Sequence, residues 1–129
     1  MSFDVFLQRF VDGDTADLDA RALRAVLDSH IARDDRSWKV QRLSFDDGSA
    51  EIYGADDLSR GLMLTHVEGL HGWDVIVELA RAGSLAVLAV GCPTAVHDAS
   101  LLLHLPVELR DDAVVVADGA DLRAKLALS

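Results

Sequence analysis

The sequence has few residues that crosslink or interrupt a chain: one cysteine, Cys92, and two prolines in 129 residues. One cysteine cannot close an intramolecular disulfide, so the core must hold the fold, and a reducing cytoplasm is the expected compartment. No apolar run approaches the roughly twenty residues of a membrane-spanning helix, and the first residues lack the basic and apolar segments of a secretion signal. We therefore expect a soluble, cytoplasmic protein that does not bind membranes.

Positive charge is also scarce. Twelve Lys and Arg stand against 22 Asp and Glu, which gives a formal net charge of −10. Each phosphate contact to a nucleic acid needs Lys or Arg, so this balance argues against a DNA or RNA partner and is compatible with a basic protein. Half of the residues are hydrophobic, and no linker divides the chain, so we expect a single globular domain over residues 1–129.

Signatures of cofactor and metal chemistry are missing as well. The sequence contains no GxGxxG, no phosphate-binding loop, no GxSxG, no HExxH and no CxxC. The aspartates around Asp12-Gly13-Asp14 resemble a calcium loop only superficially, because the glycine and glutamate that such a loop needs are absent. We expect neither a cofactor nor a bound metal, and no recognisable enzyme class.

Hydrophobic periodicity and turn residues predict the elements. They indicate strands at Phe3–Phe10, Trp38–Phe45, Ala50–Tyr53, Leu62–Val67, Leu85–Val90 and Ala113–Ala117, and helices at Asp17–Ile31, Trp73–Ala82, from near Asp98, and Asp121–Leu128. After Cys92, either Pro93 begins a helix or Pro93–Val96 is extended; we favour the extended alternative. The order β-α-β-β-β-α-β-α-β-α predicts an α/β or α+β fold in which helices pack on a single-layer mixed sheet.

The run Leu85–Val90 is the longest apolar segment, and it ends at Gly91-Cys92-Pro93. Such a run is typical of a strand buried on both faces of a parallel sheet, with Cys92 at its carboxyl end. If the strands at Leu62, Leu85 and Val114 are parallel, their carboxyl ends share one edge of the sheet. The groups at that edge would be candidate catalytic residues, Cys92, His71 and His97, and candidate ligand-binding residues, Glu68, Trp73, Thr94 and Asp118.

Cys92 and Trp73 also have a purely structural interpretation. Cys92 fits a small apolar plug at the end of a core strand, because free cysteines are among the most buried residues. As a nucleophile it would need a neighbouring imidazolium or a helix amino end to favour its thiolate. Trp73, near a helix start, is equally consistent with a core position.

Three short segments carry a resemblance: Ser2-Phe-Asp-Val-Phe-Leu-Gln8, Asp47-Gly-Ser-Ala-Glu-Ile-Tyr-Gly54 and Gly91-Cys-Pro-Thr94. Together they resemble a family of small stand-alone bacterial proteins to which no activity is assigned. The resemblance therefore implies no catalytic or binding residue.

Three hypotheses of function remain. The leading one is a protein-interaction module, for example an immunity-type inhibitor whose acidic face covers a basic partner. The second is a thiol-dependent enzyme or small-ligand-binding protein that uses Cys92 with His71 or His97. The third is a structural subunit of a homo-oligomer, such as a homodimer, that pairs through the edge of the hairpin between Trp38 and Tyr53.

Overall fold

A computed structural model describes residues 4–30, 40–54, 57 and 61–127. Its strands are β1 (Val5–Val11), β2 (Asp14–Ala16), β3 (Val40–Phe45), β4 (Gly48–Tyr53), β5 (Leu62–Thr65), β6 (Ala86–Ala89), β7 (Ala95–Val96) and β8 (Val114–Val115). Its α-helices are α1 (Ala20–Leu27), α2 (Leu70–Gly83), α3 (Val107–Arg110) and α4 (Gly119–Ala127), and a 3-10 helix covers Ala99–His104. The predicted strand start at Trp38 and helix end at Ile31 lie outside the described residues.

The strands form one open eight-stranded sheet in the order β3-β4-β5-β1-β6-β7-β8, and β2 pairs with β1. Every pairing is antiparallel except the one between β7 and β8. Helices pack against this sheet, so the predicted fold, a mixed single-layer sheet covered by helices, is confirmed. The predicted element order omitted β2, β7 and α3, each of four residues or fewer.

The predicted parallel arrangement is wrong. The strand of the apolar run, β6, pairs antiparallel with both β1 and β7. Strands β5 and β6 do point the same way, because each is antiparallel to β1, which lies between them. Strand β8 is parallel to β7 and therefore runs opposite to β6. The carboxyl ends of the three strands consequently do not share one edge of the sheet.

One face of the sheet carries the main core. Side chains of β1, β4, β5 and β6 that point to this face pack with α1, α2 and α4 in a single buried cluster. Leu23, Ile76, Leu79 and Leu122 are fully buried there. Helix α1 is amphipathic, α2 is largely apolar, and α4 buries Leu122 and Leu126, so the packing of these helices on the sheet contributes hydrophobic stabilisation.

A smaller cluster covers part of the opposite face. Ala86, Val96 and Leu105 are buried, and the partly buried Phe10 and Leu102 pack against them. The 3-10 helix and α3 contribute the covering residues, at the end of the sheet that holds β6 and β7. The favoured alternative for the segment after Cys92 is confirmed, because the chain is extended at Ala95–Val96 and no helix begins at Pro93. Asp98 then caps the 3-10 helix.

The sequence also predicts Asp17 and Asp121 as helix caps and Gly83 as the left-handed end of the helix at Trp73, and the structure contradicts all three predictions. Asp19, not Asp17, caps α1 by accepting a hydrogen bond from the Ala22 N–H at 3.2 Å. Ser84, not Gly83, adopts the left-handed conformation that ends α2. Asp118, not Asp121, caps α4, because its side chain accepts from the Asp121 N–H at 2.8 Å.

The hairpin between β3 and β4 forms as predicted, but its glycine has another purpose. An Asp-Gly pair in a tight hairpin turn predicts positive φ angles, yet no residue of Asp46, Asp47 and Gly48 has one. A Cβ at Gly48 would instead collide with the carbonyl group of Glu68. Gly48 is therefore required by the close approach of the segment between β5 and α2.

Candidate functional site on the open face of the sheet

Cys92 lies in a tight turn after β6. Its N–H donates to the Ala89 carbonyl at 3.0 Å, and Gly91 in the turn has a φ of +78°. The half-buried thiol packs against the main core, with Sγ 3.6 Å from the Leu126 carbonyl oxygen and 3.8 Å from that of Val90. A thiol in this position acts as a weak hydrogen-bond donor that fills space beside α4.

The two candidate residues that follow Cys92 in the sequence, Thr94 and His97, flank β7. His97 is half-buried at the end of β7, and its Nδ1 is buried without a hydrogen bond. Thr94 is buried, and its carbonyl accepts the Val114 N–H at 2.8 Å, which joins the chain before β7 to β8. Within the described part of the chain, no hydrogen bond joins the Cys92 thiol to an imidazole.

His71 belongs to an aromatic cluster at the start of α2. Its ring stacks on Phe45 with centroids 5.5 Å apart, and His30 meets both rings edge-on. Asp47 in the hairpin turn accepts hydrogen bonds from the N–H groups of Leu70, at 2.8 Å, and His71, at 3.2 Å. Since α2 has no cap from its own adjoining residue, Gly69, the hairpin supplies that cap.

The other predicted ligand-binding residues are distributed between core, cap and surface. Trp73 is 6% exposed and belongs to the main core. Asp118 caps α4. Glu68 is exposed and lies beside the hairpin, where its N–H donates to the Ser49 carbonyl at 2.8 Å. Over residues 4–30, 40–54, 57 and 61–127, no three His, Cys, Asp or Glu side chains converge on a possible metal position.

A different candidate site lies on the face of the sheet opposite α1, α2 and α4, which we call the open face. The strand register pairs Tyr53 with Met63, Met63 with Phe6, and Phe6 with Leu88. Directly paired residues point to the same face, so these four side chains form one row across β4, β5, β1 and β6. Phe6 is 39% exposed, and the other three are half-buried. We call this set the apolar row.

A groove of about 490 Å³ follows the apolar row. All four residues of the row line it, together with Gln8, the backbone around Gly54 and Gly61, and parts of Leu7 and Leu62. The Gln8 amide NH₂ is held by the carbonyl groups of Arg9 and Ala16, at 3.1 and 3.2 Å. The groove is therefore an apolar trough with one fixed amide in its wall.

A polar depression of about 250 Å³ lies on the same face. Its polar lining consists of Arg42, Ser49, Glu51, His66 and Glu68, and we call it the charged depression. His66 Nδ1 is 3.6 Å from Glu51 Oε2 and 3.4 Å from the Thr65 hydroxyl. Arg42 points a guanidinium nitrogen at the Ser49 hydroxyl, 3.5 Å away. His66 has a φ of +52°, an unusual conformation for a residue other than glycine.

Sequence reasoning found Glu68 but missed the rest of this face. Alternation along β1 separates Phe6 and Gln8 from the buried Val5 and Leu7, and this signal was present in the sequence. The adjacency of β1 to both β5 and β6 was not visible there, because it depends on pairings between distant segments. The apolar row exists only once that order is known.

Comparisons of the chain with protein-family models, with curated proteins and with solved structures return no match. The resemblance to a bacterial family therefore stays a prediction. No helix within the described ranges is long and apolar enough to cross a membrane.

Proposed function

We propose that this chain is a protein-interaction module that binds a basic polypeptide segment on the open face of its sheet. An apolar side chain of the partner would enter the groove along the apolar row, and basic residues beside it would face the acidic surroundings. The observation that carries the proposal is the partial exposure of a continuous apolar row across four paired strands.

The chemistry of the row supports a protein partner. Aromatic residues and methionine are enriched in the cores of protein interfaces, and Tyr53, Met63 and Phe6 are of these types. The groove between them is elongated across several strands and offers few polar groups. An apolar anchor that fills such a groove would gain roughly 25 cal/mol for each Å² of apolar surface removed from water.

Charge supports a basic partner. The formal net charge is −10, so the long-range field attracts cationic segments and repels acidic ones. Near the groove, Asp4 is exposed and lies two residues before Phe6, just outside β1. Glu51 and Glu68 line the neighbouring charged depression.

The test uses four synthetic peptides of one length: basic with apolar residues, basic only, acidic with apolar residues, and neutral with apolar residues. Binding is followed by NMR through the Met63 methyl group and the Leu88 methyl groups. We expect the basic peptide with apolar residues to bind most tightly and to shift these signals. The proposal is contradicted if the basic-only peptide binds as tightly as the basic peptide with apolar residues and leaves the Met63 signal unshifted. It is also contradicted if no peptide binds.

A pair of variants locates the site. Phe6→Ser should weaken binding of the basic, apolar peptide at least about tenfold, because loss of an aromatic residue at the centre of an interface costs about 2 kcal/mol and about 1.4 kcal/mol is tenfold. Val107→Ser is the matched control, since Val107 is 67% exposed on α3 and lies outside the groove. Thermal unfolding of both variants checks that the fold is intact. Equal weakening by the two variants would place the peptide elsewhere.

A further inference from the structure

We infer that the charged depression binds a small zwitterion, a molecule that carries a carboxylate and an ammonium group close together, as a free α-amino acid does. This inference goes beyond the proposed peptide binding and shares Glu51 and Glu68 with it, but it concerns a different ligand, because an internal peptide segment carries neither a terminal carboxylate nor a terminal ammonium. It depends on the positively and negatively charged side chains that line the charged depression.

The cationic side of the depression consists of Arg42 with Ser49. The guanidinium has five N–H donors, and its hydrogen bond within the described structure is the long one, of 3.5 Å, to the Ser49 hydroxyl. Its planar fork matches a carboxylate, which could accept two parallel hydrogen bonds. The Ser49 hydroxyl can turn to donate a further hydrogen bond to the same carboxylate.

The anionic side consists of Glu51 and Glu68. The Glu68 carboxylate is exposed and makes no hydrogen bond or ion pair to any residue that the structure describes. Glu51 has His66 Nδ1 at 3.6 Å from one oxygen, which leaves its other oxygen to accept from a ligand. Two carboxylates provide acceptors for the three N–H bonds of an ammonium group.

The mixture of signs explains why a zwitterion is favoured over a simple ion. A ligand with only positive charge would leave Arg42 unpaired, and one with only negative charge would leave Glu51 and Glu68 unpaired. A zwitterion satisfies both sides at once. The charged depression of about 250 Å³ also has room for such a molecule. One water occupies about 30 Å³ of liquid, so the depression can hold a ligand of several non-hydrogen atoms.

The neighbouring apolar row predicts a preference among amino acids. Tyr53 lies two residues after Glu51 on β4, so both side chains point to the same face, roughly 7 Å apart along the strand. A zwitterion anchored in the depression can direct an apolar substituent toward Tyr53 and Met63. We therefore expect L-leucine to bind more tightly than glycine.

The experiment is an NMR titration with glycine, L-leucine, sodium acetate and methylammonium chloride at constant ionic strength. Saturable shifts of the Ser49, Glu51, His66 and Glu68 amide signals are expected with both amino acids. Acetate and methylammonium should each bind at least about tenfold more weakly than leucine, because each leaves one charged side unpaired. Equal shifts with all four compounds, or no saturable shift with leucine, would overturn the inference.

Two pairs of variants complete the test. Arg42→Gln and Glu68→Gln should each weaken leucine binding at least about tenfold, since each removes a charged hydrogen-bonding partner. Arg123→Gln on α4 and Glu78→Gln on α2 are the matched controls at exposed positions outside the depression. Unchanged binding in Arg42→Gln or Glu68→Gln would overturn the inference, even if the peptide experiment succeeds.

Discussion

The two faces of the sheet differ in what covers them. On one face, three helices bury a continuous core in which Leu64 and Ile52 are completely inaccessible. On the other, among the residues that the structure describes, the 3-10 helix and α3 cover the end near β6 and β7, and the apolar row remains partly exposed. Because the same strands supply both faces, the difference shows that this sheet has more apolar surface than the described helices bury. Exposed apolar rows of this kind mark interaction sites more often than scattered surface residues do.

The largest expected effect compares adjacent residues of β5 that point to opposite faces. Leu64→Ala should lower the free energy of unfolding by about 3 kcal/mol, because it leaves a cavity in the main core. Met63→Ala should lower it by about 1 kcal/mol, since a half-buried side chain loses less contact. Urea denaturation of the two variants measures the difference. Similar losses would show that the open face is as well packed as the covered one.

The sequence predicted the fold class well and left the strand order open, for a physical reason. The hairpin around Asp46-Asp47, the long helix α2 and the strand at β6 each follow from local periodicity and turn residues. Strand order depends instead on pairing between segments far apart in the chain, such as β1 with β5 and β6. The antiparallel pairing of β6 was missed because a continuous apolar run is not specific to parallel sheets.

The predicted candidate site depended even more on these pairings between distant strands. The predicted edge site required three parallel strands. Because β8 runs opposite to β6, this requirement is not met. Cys92, His71 and Asp118 instead make contacts with α4, Phe45 and the start of α4, respectively. A functional role for these residues stays a prediction, since their individual chemistry is unchanged by their placement.

A smaller effect is expected where the hairpin joins the covered face. Asp47→Ala should lower the free energy of unfolding by about 1 kcal/mol, because it removes the cap of α2. Asp46→Ala, at the exposed neighbouring position, should change it by less than about 0.5 kcal/mol. Denaturation curves at neutral pH provide the comparison. If Asp46→Ala is equally destabilising, the turn itself matters and the contact with α2 does not.

The partial cover of the second face should respond to acid. The Ser100 N–H, which donates to Asp98, holds the pKa of that carboxyl below its ordinary value of 3.8. A carboxyl with a lowered pKa stabilises the fold above its unfolded pKa and loses that contribution as pH falls through the folded pKa. Asp98→Asn should therefore reduce the drop in melting temperature below about pH 4. Asp111→Asn, exposed after α3, is the control, and an identical drop in Asp98→Asn and the unaltered protein would rule out this contribution.

The smallest expected effect concerns the thiol on the covered side. Cys92 packs beside the Leu126 carbonyl of α4 and makes no hydrogen bond to His97 or His71 within the described residues. His97→Ala and His71→Ala should therefore change the rate of Cys92 alkylation by iodoacetamide less than about twofold, because neither imidazole activates the thiolate. Alkylation in urea gives the rate of the accessible thiol for reference. A several-fold slower reaction in His97→Ala would instead show that this imidazole activates the Cys92 thiol. The turn after β6 would then be a better candidate for the functional site than the open face.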